Sequence, residues 1–142
     1  MNEKKERVHL AGAGKARHRF DPRKVEKLYS PERIKRLRLR ELLAEFALCP
    51  GQTVLDLGTG GGLLLPDLSG SVGHKGVVVG SDSSIEMIEY INHRFHDKIP
   101  DNVEICVNGE KNLPFASGTF HRVIMVCLLH ELAYPRSILQ ET

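Results

Sequence analysis

The stretch Val54-Leu55-Asp56-Leu57-Gly58-Thr59-Gly60-Gly61-Gly62 holds the first residues whose types and spacing point to ligand chemistry. Glycines at 58, 60 and 62 let the backbone turn sharply and come close to a bulky ligand, because no side chain blocks the approach or forbids positive φ. Leu63-Leu64-Leu65 reads as the start of a helix whose unpaired N–H groups point back at the same place. A nucleotide-like cofactor is the implied occupant. A dinucleotide fingerprint would need a third glycine where Leu63 stands, and the Gly73-His74-Lys75-Gly76 run lacks the spacing of a phosphate-binding P-loop. Asp56, immediately before the glycines, would repel a polyphosphate. A cofactor with a cationic part fits better.

Two further residues join this set. Asp82 follows the apolar run Gly76-Val77-Val78-Val79-Gly80 and can present two carboxylate oxygens to vicinal ribose hydroxyls, as the acid of dinucleotide folds does. Its other reading is an ordinary cap of the following helix. His130 follows the apolar run Arg122 to Leu129, and open α/β folds place reacting groups at the carboxyl ends of their strands. An imidazole there suits a general base acting on a hydroxyl, amine or activated carbon, with a structural histidine at a helix start as the alternative.

The elements that must position these residues are legible in order. Phe20-Asp21-Pro22 opens a short helix, and Ser30-Pro31 opens a longer one whose apolar stripe includes Leu37, Leu42, Leu43 and Phe46 and which stops near Cys49-Pro50-Gly51. Thr53 to Leu57 is a first strand covered on both faces. Leu63 to Leu68 begins its crossover helix, delayed or bent by Pro66, and Ser69 to Lys75 is a glycine-rich loop. After the second strand, Ser83 or Ser84 caps a helix reaching Arg94 that buries Ile85, Ile88, Ile91 and Phe95. Val103 to Val107 is the third strand, Arg122 to Leu129 the fourth, and Tyr134 to Glu141 a further helix.

These segments resemble, in order and spacing, the class I S-adenosylmethionine-dependent methyltransferases. Thr53 to Gly62 resembles their first motif, and Gly80-Ser81-Asp82-Ser83-Ser84-Ile85-Glu86-Met87-Ile88 their second-strand acidic motif with its helix. Asn112-Leu113-Pro114-Phe115, Gly118-Thr119-Phe120-His121-Arg122-Val123 and Leu129-His130-Glu131-Leu132 are similar to the small-molecule branch that includes quinone-ring and sterol methyltransferases. The resemblance implies a Rossmann-like α/β domain over 30–142 that binds S-adenosylmethionine, preceded by a basic arm and short helix over 1–29. It further implies that Asp56 orders the methionine end, that Gly58, Gly60 and Gly62 cradle the cofactor, and that Asp82 holds its ribose. Ser83 and Ile85 would approach one face of the adenine, and Leu113 would cover the other. Where the family carries Gly-Asp-Ala for the adenine amino group, this chain has Asn108-Gly109-Glu110, so Glu110 with its longer arm, Asn108, or the backbone takes that role. His130 becomes the candidate catalytic base.

The family's sheet continues beyond the matched strands, so the expectation is a partial parallel sheet of about four strands, ordered 3-2-1-4, lacking the C-terminal strands. Strand 123–128 would then be an open edge, covered by a second copy of the chain or by a complementing subunit. The expected partner is a small-molecule methyl acceptor. Two alternatives stay open: a non-catalytic cofactor-binding or regulatory subunit, and a component of an RNA methyltransferase.

At 142 residues the chain is one domain by size. Its net charge of +2 is unevenly spread: residues 1–50 carry 14 Lys and Arg against 7 Asp and Glu, and the remainder 6 against 11. A basic head attracts nucleic acid or an anionic surface in principle. With few candidate stacking residues beyond Phe20 and Tyr29, Phe46 belonging to the apolar stripe, it reads instead as a solvated arm, Met1 to Arg19, and a helix face. No apolar run approaches the ~20 residues that span a bilayer and the N-terminus is too charged for a secretory signal, so a cytoplasmic protein without a transmembrane segment is expected. Cys49, Cys106 and Cys127 read as reduced, mostly buried thiols, and His93 and His96 lack metal-ligand spacing.

Overall fold

β1 (Thr53–Leu57) has a strand on each side, which is why four of its five residues are buried and why apolar side chains fill it. A computed structural model describes residues 19–142, so the expected arm, Met1 to Arg19, lies outside the described residues except for Arg19. β2 (Val77–Asp82) runs parallel to β1 with Thr53 opposite Val77 and Leu57 opposite Ser81. β3 (Val103–Val107) lies parallel beyond β2, and β4 (Arg122–Ile124) lies parallel on the other side of β1. The order is β3-β2-β1-β4, as expected. Because every pairing is parallel, all the carboxyl ends emerge at one edge of the sheet. A site built from the loops after each strand follows from that alone.

Alternation along the strands divides the core between two faces. Val54 and Val78 pack with Leu65, Leu68, Val72 and Ile91 from the helices α3 (Leu65–Val72) and α4 (Ile85–Phe95). Leu55, Leu57 and Val79 face the other way, onto Leu113 and onto Ile138 of α5 (Pro135–Glu141).

Local chemistry sets the helix starts. Asp21 caps the 3-10 helix Pro22–Tyr29 by accepting from the Arg23 amide, and Ser30 caps α1 (Pro31–Leu37) by accepting from Arg33. Ser84, of the two serines, caps α4 through the Met87 amide. Pro66 is tolerated because α3 starts only at Leu65, in whose first turn no N–H is needed.

Several expectations need correction. The helix expected from Pro31 to Cys49 is broken at Arg38, whose left-handed φ of 48° separates α1 from α2 (Leu39–Glu45). α3 continues through Ser69 and Gly70 to Val72, where a loop was expected, because Leu68 and Val72 keep the helix on the sheet. The fourth strand pairs only over Arg122–Ile124, not from 122 to 129: Cys127 takes a positive φ of 55° and the chain turns over the glycine loop. The open edge expected at Val123 to Leu128 is therefore three residues long. Cys49 and Cys127 are exposed and Cys106 half-buried, so the thiols are free but not core residues. Among the described residues no helix is long and apolar enough to cross a membrane.

Candidate functional site

A cavity of about 1170 Å³ opens where the four strands end, walled on the far side by residues 19–37. Its floor is the glycine turn. Gly58, Gly60 and Gly62 have φ of 71°, 56° and 80°, a region that L side chains rarely enter. The Gly58 and Thr59 amides donate to the Ser81 carbonyl at 2.8 and 2.9 Å, which anchors the turn to β2. A Cβ on Gly58 would collide with the side chain of Leu128, so this glycine allows the segment after β4 to close over the turn.

Asp82 joins three loops. Its Oδ2 accepts from the Gly60 amide at 3.0 Å, its Oδ1 from the Ser84 amide at 2.9 Å, and its backbone carbonyl from the Asn108 amide at 2.9 Å. Burial pushes its carboxyl above the ordinary range, while the Ser84 and Gly60 amides and the Arg19 charge pull the other way. It therefore tethers the residue that caps α4, without being the cap itself, and it lines the cavity.

Gly58, Gly60, Ser83, Glu110 and His130 also line the cavity. Ser83 and Glu110 are bridged by Arg19, whose guanidinium lies 2.8 Å from the Ser83 hydroxyl and 2.6 Å from the Glu110 carboxylate. The Phe20 amide donates to Glu131 at 3.2 Å, and Glu131 lies 3.6 Å from the His130 ring. His130 itself is 67% exposed.

Four residues read from the sequence as cofactor contacts lie outside the cavity wall. Asp56 is 2% exposed and turned into the sheet, where its carboxylate accepts from the Thr59 hydroxyl at 2.7 Å; burial pushes its pKa up to about 6. Gly62 is a packing position, its missing side chain leaving room for Leu65, Phe95 and Ile91. Leu113 belongs to the core beneath α5. Ile85 is 59% exposed, and Met87 takes the inward position on α4 and reaches the cavity. Ile85, expected on the buried side, stands instead in the exposed first turn of α4, one residue after the Ser84 cap.

The structure adds residues that carry little signal in the amino-acid sequence. The Tyr29 hydroxyl donates to the Gly61 carbonyl, and the Arg94 guanidinium sits 3.6 Å above the Tyr29 ring. Tyr90 donates to Glu26 at 2.7 Å in the same cluster. These contacts hold the basic segment on the glycine turn. The only hint was a lone tyrosine among charges.

The cavity fits an adenosine-bearing cation on two observations from this structure. Asn108 lines the wall beside Asp82 with its side-chain oxygen buried and without a hydrogen-bond partner among the described residues, an acceptor awaiting a donor. The second is the acidic rim of Asp82, Glu86 and Glu110 next to the glycine floor, which favours positive charge.

Comparison with known proteins agrees. The family described as a methyltransferase domain matches residues 54–142. The crystal structure of a SAM-dependent methyltransferase from Aquifex aeolicus superposes with a TM-score of 0.80 at 38% identity, over 87% of this chain and 65% of that one. Arsenite methyltransferase of Halobacterium salinarum is 31% identical over 96 residues, 68% of this chain and 25% of the relative. Demethylmenaquinone methyltransferase of Lactococcus lactis is 37% identical over 70 residues, 49% of this chain and 28% of the relative. The chain thus spans about a quarter of the length of the curated relatives it matches.

Proposed function

The chain belongs to the methyltransferase domain family, and from that premise we propose that it binds S-adenosylmethionine and passes the methyl group to a small-molecule acceptor. The observation that carries this reading is the meeting of Asp82, Gly58, Gly60 and the unpartnered Asn108 oxygen on one wall. The proteins it resembles are named for small acceptors, arsenite and demethylmenaquinone.

When bound, S-adenosylmethionine supplies an electrophilic methyl on a sulfonium. Displacement at that carbon needs little covalent help, so holding both partners in line supplies much of the rate. In this reading Asp82 accepts from the ribose hydroxyls and Asn108 from the adenine amino group, the role that the sequence left open among Glu110, Asn108 and the backbone. Ser83 and Met87 border the adenosine, and Gly58 and Gly60 admit the methionine end. Asp56 acts one layer back, holding the Thr59 hydroxyl beneath the turn. His130 takes a proton from the acceptor, with Glu131 behind it. A calorimetric titration of the full chain with S-adenosylhomocysteine is expected to show one site that weakens at least tenfold in Asn108→Leu. Absence of binding by the unsubstituted chain would remove the proposal.

One observation favours a second reading, cofactor binding without turnover: the Glu110 carboxylate on the cavity wall is already paired with Arg19 at 2.6 Å. Transfer of labelled methyl to any acceptor separates the two. In either reading the outer side of β4 pairs with no strand among the described residues, and a second copy or complementing subunit is the proposed cover. Light scattering reporting a monomer would remove that cover.

A further inference from the structure

The basic first third of the chain is only partly used by the contacts described so far. From Arg23 to Arg40 it carries eight Lys and Arg, yet only Lys27, Arg33 and Arg36 face the cavity. Arg33 and Arg36 are one helical turn apart on α1 and so share a face. None of the three has a carboxylate within 4.0 Å among the described residues, whereas Arg19, on the same cavity, is paired with Glu110.

The acids of the cavity are already engaged. Asp21 pairs with Arg23, Glu110 with Arg19, and Asp82 accepts from two amides. Glu86 accepts from the Ser84 hydroxyl and Glu131 from the Phe20 amide. Among the described residues, Lys27, Arg33 and Arg36 on the wall built by α1 and the segment before it therefore keep positive charge with no paired carboxylate.

Position adds to charge. The Leu28 side chain lies against Gly60, 3.1 Å from where a Cβ would be, and the Leu28 carbonyl accepts from the Arg33 guanidinium at 3.0 Å. That bond fixes the arginine over the glycine turn and leaves its remaining N–H groups for a ligand. Leu28, Leu37, Leu132 and Ala133 line the same cavity as the three cations and His130 and give it apolar wall. The volume of about 1170 Å³ exceeds the roughly 300–1,000 Å³ of a single small-molecule site, so a second ligand has room beside the first.

We propose that Lys27, Arg33 and Arg36 form an anion-binding subsite at the acceptor end of the cavity, selecting a methyl acceptor with an apolar body and a carboxylate, phosphate or similar anionic group. The inference rests on the methyl-transfer reading for the word acceptor; the subsite itself rests on the residues above. Arg33 and Arg36 take the anion through paired N–H groups, and Lys27 adds charge.

A pair of fluorescent probes tests it: 1-anilinonaphthalene-8-sulfonate, an apolar body with an anion, and N-phenyl-1-naphthylamine, the same body without one. The full chain, with and without S-adenosylhomocysteine, is expected to bind the sulfonate about tenfold more tightly than the neutral probe. Arg33→Gln with Arg36→Gln should erase that preference, and Arg33→Lys with Arg36→Lys should retain part of it. Unchanged thermal midpoints identify the variants that fold. A folded glutamine variant that keeps the preference overturns the subsite. Weaker S-adenosylhomocysteine binding in that variant, with S-methylthioadenosine binding unchanged, would assign the cations to the carboxylate of the cofactor and overturn the acceptor assignment. Displacement of the sulfonate by a short single-stranded RNA, lost in the same variant, would assign the wall to nucleic acid instead. If S-adenosylhomocysteine fails to bind while the sulfonate preference holds, the methyl-transfer reading fails and the anion subsite stands.

Discussion

The Gly60 amide donates to Asp82 Oδ2 at 3.0 Å, so the turn after β1 is fastened to the acid at the tip of β2. With Oδ1 on the Ser84 amide, the carboxylate satisfies two backbone donors at once. Asp82→Ala is therefore expected to lower stability as well as cofactor affinity. Leaving two partly buried amides unpaired costs about 1–3 kcal/mol each. Urea denaturation together with an S-adenosylhomocysteine titration checks both. A variant as stable as the unsubstituted chain would contradict the structural half.

Gly58 has two separable reasons to be glycine. Its φ of 71° strains any L residue, at about 1–3 kcal/mol, and the space for a Cβ is filled by Leu128. Gly58→Ala should destabilise the chain, and adding Leu128→Ala should recover the steric part but not the backbone part. If the double variant is no better than the sum of its parts in a thermal melt, Leu128 does not occupy that space in solution.

Asp56 gives a pH dependence with a defined sign. Its folded pKa of about 6 lies above the ordinary 3.8, so the folded state binds the proton more tightly. Its contribution is favourable at low pH and is lost as pH rises from about 4 through about 6, costing on the order of 3 kcal/mol above that window. Asp56→Asn keeps an oxygen for the Thr59 hydroxyl and removes the charge. It should melt at a higher temperature than the unsubstituted chain at pH 7.5, with the difference shrinking toward pH 4. A pH-independent difference would mean that the carboxylate is better solvated than its burial implies.

Tyr29 tests whether the N-terminal segment supports the turn. Burial pushes its hydroxyl up to about 12, so it remains a donor to Gly61 throughout the neutral range. Tyr29→Phe should cost about 1 kcal/mol, and Arg94→Ala should weaken the same cluster. Double-mutant analysis by urea unfolding should show the two changes to be coupled; additivity would separate the ring stacking from the turn.

The strand core and the helix caps were legible because they depend on neighbours in sequence. Thr53–Leu57 reads as a buried strand from five residues, and Asp21, Ser30 and Pro66 each act within one turn of where they stand. Asp82 and the glycine turn were legible as local motifs, and which strand tips adjoin was implied by the family resemblance. What failed depended on distant atoms. The apolar run after Arg122 looks like strand throughout, but Leu128 finds a better place over Gly58 than on an edge ladder. Ile85 is exposed and Met87 buried, because the sheet and the cavity wall, not the apolar spacing alone, decide which side of the first turn of α4 faces inward. Leu113 and Asp56 are turned to the interior, a direction that spacing does not encode. Arg19 was invisible as a site residue, since its partners Ser83 and Glu110 are 64 and 91 positions away.

Arg19 and Phe20 together clasp the loops that follow β2, β3 and β4. A ligand in the hollow beneath them is retained in part by these polar clasps, while the sheet below is held by hydrophobic packing. Ligand escape should accordingly quicken with ionic strength even where equilibrium unfolding does not, making exchange and folding respond to different solvents.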